Sequence, residues 1–349
     1  MKSLMDDFKS AAQEAGLRYV TDEKPGFKRQ RRGKGFVYFD THSERITDEE
    51  VLKRIKSLVI PPAWKNVWIC PFKNGHIQAT GVDARGRKQY KYHAKWSEVR
   101  NETKFEKMLS FGEALPLIRK RIHHDLLKHN LPKEKVIAAV VRLLEMTLIR
   151  VGNEEYAKEN KSFGLTTMRD KHVEISGEKI TFEFKGKSGI MHAISLKDRR
   201  LANIIKRCEE LPGQDLFQYV DEDGKRHTIT SEDVNQYLQK ITQEEFTAKD
   251  FRTWAGTICA ISALKEGGES TTKTESKKNL TQAVKQVSKR LGNTPTVCRK
   301  YYIHPAVLKA YDEGELLTIF PQKTTDDSIP HDGLHDEEVA VLKFLESTV

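Results

Sequence analysis

Residues 132–152 read PKEKVIAAVVRLLEMTLIRVG, and residues 172–196 read HVEISGEKITFEFKGKSGIMHAISL. The first stretch is an amphipathic run opened by Pro132, whose fixed φ suits a helix start, and stopped by Gly152. In the second the apolar period drops to two, broken at GEK and at KSG. That pattern predicts three antiparallel strands, HVEIS, ITFEFKG and IMHAISL. A long helix followed by one small antiparallel sheet makes this region α+β and mainly helical.

Outward from there, toward the C-terminus, helices are expected at Lys197–Leu211, Ser231–Ile241 and Lys249–Lys265. The last opens with TAKD, a capping-box pattern of Thr247 and Asp250. EGGESTTKTESKKN, residues 266–279, reads as a polar connector, and LTQAVKQVSKRLG as a further helix. Toward the N-terminus the signals change. GKGFVYFD and NVWICPFKNGHIQATGVDARGRKQYKYH alternate polar and apolar residues between Gly, Asn-Gly and Pro breaks, so they read as strands. Asn74-Gly75 is a candidate hairpin turn, and Asp48 to Val59 a single helix. Composition turns helix-forming and charged between Trp96 and Lys107, where a linker is expected. The chain therefore divides into a small, mainly β domain over 1–100 and a larger, mainly α domain over 101–349, with the three strands at about 172–196.

The net charge is +10, and it is not spread evenly. Residues 1–100 hold 21 Lys+Arg against 12 Asp+Glu, whereas the remainder is nearly balanced at 39 against 38. KPGFKRQRRGK, from Lys24 to Lys34, carries six basic residues and no acid, and Lys53 to Lys95 carries ten with Asp83 alone opposing them. Two such clusters in one small aromatic-containing domain point to a polyanion partner. The stretch from Gln322 to Val349 has seven acids against two lysines and is expected to lie away from nucleic acid. Cys70, Cys208, Cys259 and Cys298 are scattered without metal-ligand spacing, so they read as reduced thiols and no metal is expected. No apolar run approaches the ~20 residues of a membrane span, and MKSLMDDFKSAAQEAG lacks the apolar core of a secretory signal. A cytoplasmic, nucleoid-associated protein is the expectation.

Residues 296–307, TVCRKYYIHPAV, raise the question of chemistry. Strand transfer at phosphorus without metal or nucleotide needs an oxygen nucleophile, a proton donor for the leaving oxygen, and fixed cations around the phosphorane. A phenol, with a pKa of about 10, leaves more readily than a sugar hydroxyl, so a tyrosyl phosphodiester stays reversible. Arginine grips two phosphate oxygens at once and keeps its charge. A lysine crowded by other cations gives up a proton more easily. Candidates of each kind are present: Arg150 at the end of the long helix, Lys187 at the hairpin tip, Arg252 one turn into a helix, and Asn293 before a Pro-led helix. Each alone has an ordinary explanation, whether a dipole cap, a solvated turn, an ion pair with Asp250 or a helix-terminus amide.

In order and spacing, however, RVGNEEYAKENKSFGLTTMRDKHVEI, FKGKSG, KDFRTWAG and LGNTPTVCRKYYIHP resemble the type IB DNA topoisomerases, in their small poxvirus and bacterial branch. The resemblance runs from about Gly26 to Tyr311. It implies the topoisomerase IB/tyrosine recombinase fold clamped on double-stranded DNA, relaxation of supercoils of either sign through a 3′-phosphotyrosyl intermediate, and no ATP, metal or obligatory protein partner. It also implies a monomer. Carried onto matching positions, the site is Arg150, Lys187 as general acid, Arg252, Asn293 and a tyrosine nucleophile. That tyrosine stands nine residues past the His/Asn position, which selects Tyr302 over Tyr301. Poxvirus members have His where this chain has Asn293, an amide that donates a hydrogen bond but does not titrate near neutral pH. Lys249 is a candidate supporting cation. GRKQYKYH, residues 86–93, matches the region where poxvirus members read bases, which makes Gln89, Tyr90 and Tyr92 candidate DNA contacts. An edge strand with aromatic packing explains the same residues. Two other readings share these features. Tyrosine recombinases share the Arg, Lys, Arg and Tyr chemistry but usually carry His-x-x-Arg where this chain has Lys249-Asp-Phe-Arg252, and a catalytically silent DNA-binding relative would keep only the fold.

Overall fold

The computed structural model describes residues 4–33, 35–84, 86–320 and 333–348. Lys34 and Arg85 of the basic clusters, and residues 321–332 around the start of the acidic tail, lie outside the described residues. The chain forms two compact units, Met1–Lys104 and Phe105–Val349.

The first unit contains α1 (Leu4–Glu14), β1 (Phe27–Arg32), β2 (Gly35–Phe39), α2 (Glu49–Ser57), β3 (Lys65–Ile69), β4 (Ile77–Val82), β5 (Lys88–Tyr92) and the start of α3 (Ala94–Leu126). The strands make one antiparallel sheet in the order β2-β1-β3-β4-β5. Its core is small, built on Ile55, Val67, Ile69 and Ala79. Asp48 caps α2 by accepting from the Val51 amide at 2.9 Å. Strand β1, FKRQRR, was not expected: its basic residues look like a solvated face. It is an inner strand because both neighbours supply ladder partners, and Arg29 is held by the Ile60, Pro61 and Trp64 carbonyls at 3.2, 3.0 and 2.8 Å. Asn74-Gly75 does form part of a turn, but not a two-residue hairpin. The Gly75 amide closes on Phe72 at 3.2 Å within a longer connection between β3 and β4.

The second unit holds the rest of α3, then α4 (Lys133–Thr147), α5 (Glu154–Asn160), β6 (Val173–Ser176), β7 (Lys179–Lys185), β8 (Met191–Lys197), α6 (Arg199–Glu209), β9 (Gln218–Val220), β10 (Arg226–Thr228), α7 (Ser231–Thr242), α8 (Ala248–Gly267), α9 (Lys273–Leu291), α10 (Pro295–Tyr301), α11 (Pro305–Asp312), α12 (Leu316–Ile319) and α13 (Asp336–Glu346). Strands β6, β7 and β8 form the expected antiparallel sheet. Helix α4 is buried nearly all round, Lys135 and Arg142 included, rather than along one amphipathic stripe.

The two units divide after Lys104, within the stretch expected to link them, and α3 runs through that stretch unbroken, burying Phe105 and Met108. The polar connector shrinks to residues 268–272. Thr272 caps α9 by accepting from the Glu275 amide, the Glu275 carboxylate accepts from Thr271, and the Ser276 hydroxyl, buried at 3% exposure, donates to Asp312 at 2.6 Å. In the described part of the acidic stretch, α13 inserts Glu338, 5% exposed, against Arg119. No helix among the described residues is long and apolar enough to cross a membrane.

Candidate active site

Arg150 does not close α4. The helix ends at Thr147, and Leu148 follows in the left-handed region at φ 56°. That conformation is costly for a side-chain-bearing residue. The turn survives because its groups are held from outside. The Leu148 carbonyl accepts from Arg252 Nη1. The Arg150 carbonyl accepts from the Leu165 amide at 2.9 Å, and that of Val151 from Thr166 at 2.6 Å. Gly164 permits this approach, since a Cβ there would stand 2.5 Å from the Arg150 oxygen.

Arg252 sits one turn into α8, whose start is fixed by the Thr247–Asp250 capping box. Asp250 is thus committed to the cap, and the guanidinium is bound elsewhere. It is 4% exposed, and its Nη2 donates to the Leu291 carbonyl at 2.7 Å. One side chain therefore ties the end of α4 to the end of α9. Burial first, and the neighbouring Arg150 second, push its pKa down to about 10, still cationic at neutral pH. The Arg252 guanidinium carbon lies 5.5 Å from the centre of the Tyr302 ring.

Arg150 reaches the end of α9 as well. Its Nη2 donates to the Gly292 carbonyl at 3.1 Å and to Asn293 Oδ1. Burial lowers its pKa. Two donors at this junction, Arg252 Nε and Asn293 Nδ2, are buried without a hydrogen-bond partner. Orphaned buried donors are rare because each costs about 1–3 kcal/mol. An arginine and an amide left so beside a second arginine suit an oxyanion.

Tyr302 immediately follows α10 and is half-buried, its amide donating to the Cys298 carbonyl at 2.9 Å. Arg150, Lys187, Lys249, Arg252 and Tyr302 all line one cavity of about 330 Å³. No Asp or Glu is among its described lining residues, so the cavity favours an anion. Asn293 is not in the lining and meets the group through Arg150. Lys187 is exposed at the β7–β8 tip and Lys249 is exposed in the first turn of α8. Tyr301, the last residue of α10, does not line the cavity, and its ring lies 5.4 Å from the Lys300 amine.

In the first unit β5 is an edge strand. Tyr90 and Tyr92 share one face, each 42% exposed, with rings stacked at 5.8 Å. Gln89 falls on the opposite face by the strand period, and its amide donates to Asp83 at 3.1 Å. The two tyrosines are brought together; Gln89 is not with them. Sequence reasoning passed over His192, the direct partner of Phe184 across β7 and β8, which abuts Gly292 beside Asn293. A lone polar aromatic within the IMHAISL alternation was its one signal.

Residues 93–322 match the family described as eukaryotic DNA topoisomerase I, catalytic core, and residues 35–83 match the bacterial DNA topoisomerase IB N-terminal domain. The chain is 36% identical over 323 residues to the DNA topoisomerase 1B of Acanthamoeba polyphaga mimivirus, covering 88% of this chain and 94% of that one. It is 24% identical over 251 residues to the DNA topoisomerase 1B of vaccinia virus (strain Western Reserve), covering 71% and 76%. A solved site-specific recombinase, XerH bound to difH, aligns with 55% of this chain and 51% of that one at 15% identity and a TM-score of 0.33. The chain belongs to the type IB DNA topoisomerases, isomerases that bind DNA. Within them it falls in the small branch of the bacterial and poxvirus-type enzymes.

Proposed function

We propose that Tyr302 is the nucleophile that breaks and reseals one strand of duplex DNA. Its Oη bonds to the scissile phosphorus as the bond to the 5′ oxygen breaks, leaving a 3′-phosphotyrosyl link. The phenolic proton passes to water, and the Lys187 amine supplies a proton to the leaving oxygen. Arg150 and Arg252 neutralise the phosphorane, with Asn293 Nδ2 as a further donor. The cut strand rotates about its partner, relaxing supercoils of either sign, and the reverse steps reseal it. No nucleotide is needed, because the phenol ester retains the bond energy.

The observation that carries this reading is the shared cavity: four cations and Tyr302, with no described carboxylate in the lining. All five proposed residues come from one chain and one unit, which supports action as a monomer. Exposed Tyr90 and Tyr92, and the basic residues of the first unit, are the proposed additional contacts to DNA, with Lys249 supporting the phosphate. Such a protein would work wherever duplex DNA is accessible in the cytoplasm, on the nucleoid.

The test is relaxation of a supercoiled plasmid in the presence of a metal chelator, with adduct trapping on a denaturing gel. Tyr302→Phe is expected to bind DNA and form no adduct, whereas Tyr301→Phe should form it. Adduct from Tyr302→Phe, with none from Tyr301→Phe, would overturn the assignment.

A further inference from the structure

We infer that His192 is a positioning residue, a wedge between the Lys187 hairpin and the Gly292–Asn293 turn that sets where the Lys187 amine meets the leaving 5′ oxygen. The inference rests on the general-acid role proposed for Lys187. The His192 ring stacks on its cross-strand partner Phe184, with centres 5.1 Å apart and planes 17° from parallel. Backbone closes on it from two sides. A Cβ on Gly186 would stand 2.6 Å from His192 Cδ2, and one on Gly292 would stand 2.5 Å from Cε1. Gly186 immediately precedes Lys187, and Gly292 immediately precedes Asn293. One imidazole thus touches the residue before the proposed acid and the residue whose carbonyl holds Arg150.

Lys187 depends on such a spacer. Its side chain is exposed and makes no hydrogen bond or ion pair among the described residues, so the placement of its hairpin decides where the amine reaches. The hairpin tip is a tight turn, with Ser188 at φ 63° and the Gly186 amide closed on the Ile190 carbonyl at 2.7 Å. That turn fixes the tip to β7 and β8. The contact with Gly292 ties it to the end of α9.

The charges around His192 suit a neutral wedge. Lys187 on its own hairpin, Arg150 beyond α4, Arg252 on α8 and Arg290 on α9 line the same narrow cleft, with no described Asp or Glu among the lining. Burial, then Arg150 and Arg252, hold the imidazole below its usual pKa of 6.5. A neutral ring adds no further cation to this cluster.

The experiment compares single-turnover cleavage of two duplexes that share a mapped cleavage site, one with oxygen and one with sulfur bridging the scissile phosphorus to the 5′ carbon. A thiolate leaves without protonation, so the sulfur substrate bypasses the general acid. His192→Ala is expected to slow the oxygen substrate about 10²-fold, the penalty of a 1 Å misplacement, and to cleave the sulfur substrate within a few-fold of the unaltered enzyme. Equal slowing on both substrates, or an unchanged rate on the oxygen substrate, overturns the inference. Lys187→Ala run in parallel separates the two ideas. If sulfur does not rescue it, the general-acid assignment itself fails; if sulfur rescues Lys187→Ala but not His192→Ala, only the wedge fails. Should His192→Ala show no cooperative unfolding transition, His192→Asn, which shortens the wedge but keeps a polar edge, is read by the same criteria.

Discussion

Glu338 on α13 lies beyond the span that matches the catalytic-core family, yet it is buried in the second unit. Its carboxylate accepts from Arg119 Nη1 and Nη2 at 2.7 and 2.9 Å, from Trp254 Nε1 at 2.9 Å and from the His335 amide at 3.0 Å. Glu338→Ala removes all four bonds. Breaking a buried ion pair costs about 3–5 kcal/mol because one charge is left uncompensated. Arg119 keeps Glu145 at 2.7 Å, which places this part at the low end. The orphaned Trp254 N–H adds about 1 kcal/mol or more. The expected loss is therefore about 4 kcal/mol in denaturant unfolding of the full chain at pH 7, followed by tryptophan fluorescence. Acid provides a second handle. Burial raises the Glu338 pKa, but the hydrogen bonds and charge of Arg119 outweigh it and hold the group below 4.5. A folded-state pKa below the unfolded one gives stability that is present above 4.5 and lost as pH falls through the folded value. The gap between the unaltered protein and Glu338→Ala should therefore narrow on acidification through that range. A loss under about 1 kcal/mol at pH 7 would refute the ion-pair reasoning, as would a gap that stays constant down to the acid transition.

Other expectations follow from the same contacts. Arg150→Ala should cut the rate of covalent adduct formation by about 10²–10³, measured in single turnover, and an effect under tenfold would remove it from the phosphorane's surroundings. Asn293→Ala should slow cleavage without altering the shape of the pH–rate profile, since an amide does not titrate; an inflection near pH 6.5 that vanishes in this variant would contradict that. In the first unit, Arg29→Ala should destabilise by about 2 kcal/mol through loss of its three carbonyl partners, with the salt dependence of DNA binding unchanged. Arg31→Ala, an exposed neighbour on the same strand, should leave melting unchanged and reduce the salt slope by about 0.9. The reverse pattern for this pair would mean that Arg29, not Arg31, meets DNA.

Local signals placed the candidate residues but did not single them out: Lys187 is a turn residue between two period-two runs and Arg252 follows a capping box, yet each alone has an ordinary explanation. The resemblance of four ordered motifs is what joined them and, through the family's nine-residue offset from Asn293, chose Tyr302 over Tyr301. The ordinary explanation for Arg252, a salt bridge with Asp250, failed because the Thr247 amide and hydroxyl take that carboxylate first. The grouping of Gln89 with Tyr90 and Tyr92 ignored the period of the strand that carries them. The strand at Phe27–Arg32 escaped notice because its partners, residues 35–39 and 68–69, are what make it a strand.

By itself, the sequence determined the long helices and the three strands at 172–196, that the first third is the basic part, and which side chains have the chemistry for strand transfer. Periodicity, turn residues and charge are carried by neighbours along the chain, so they can be read in one dimension. Tertiary structure alone decided that Leu148 takes a left-handed turn, that Arg252 binds two helix ends, that His192 fills the gap between Gly186 and Gly292, and that an acidic tail residue is buried against Arg119. These depend on contacts between residues tens to hundreds of positions apart, where burial and hydrogen-bond satisfaction outweigh local preference.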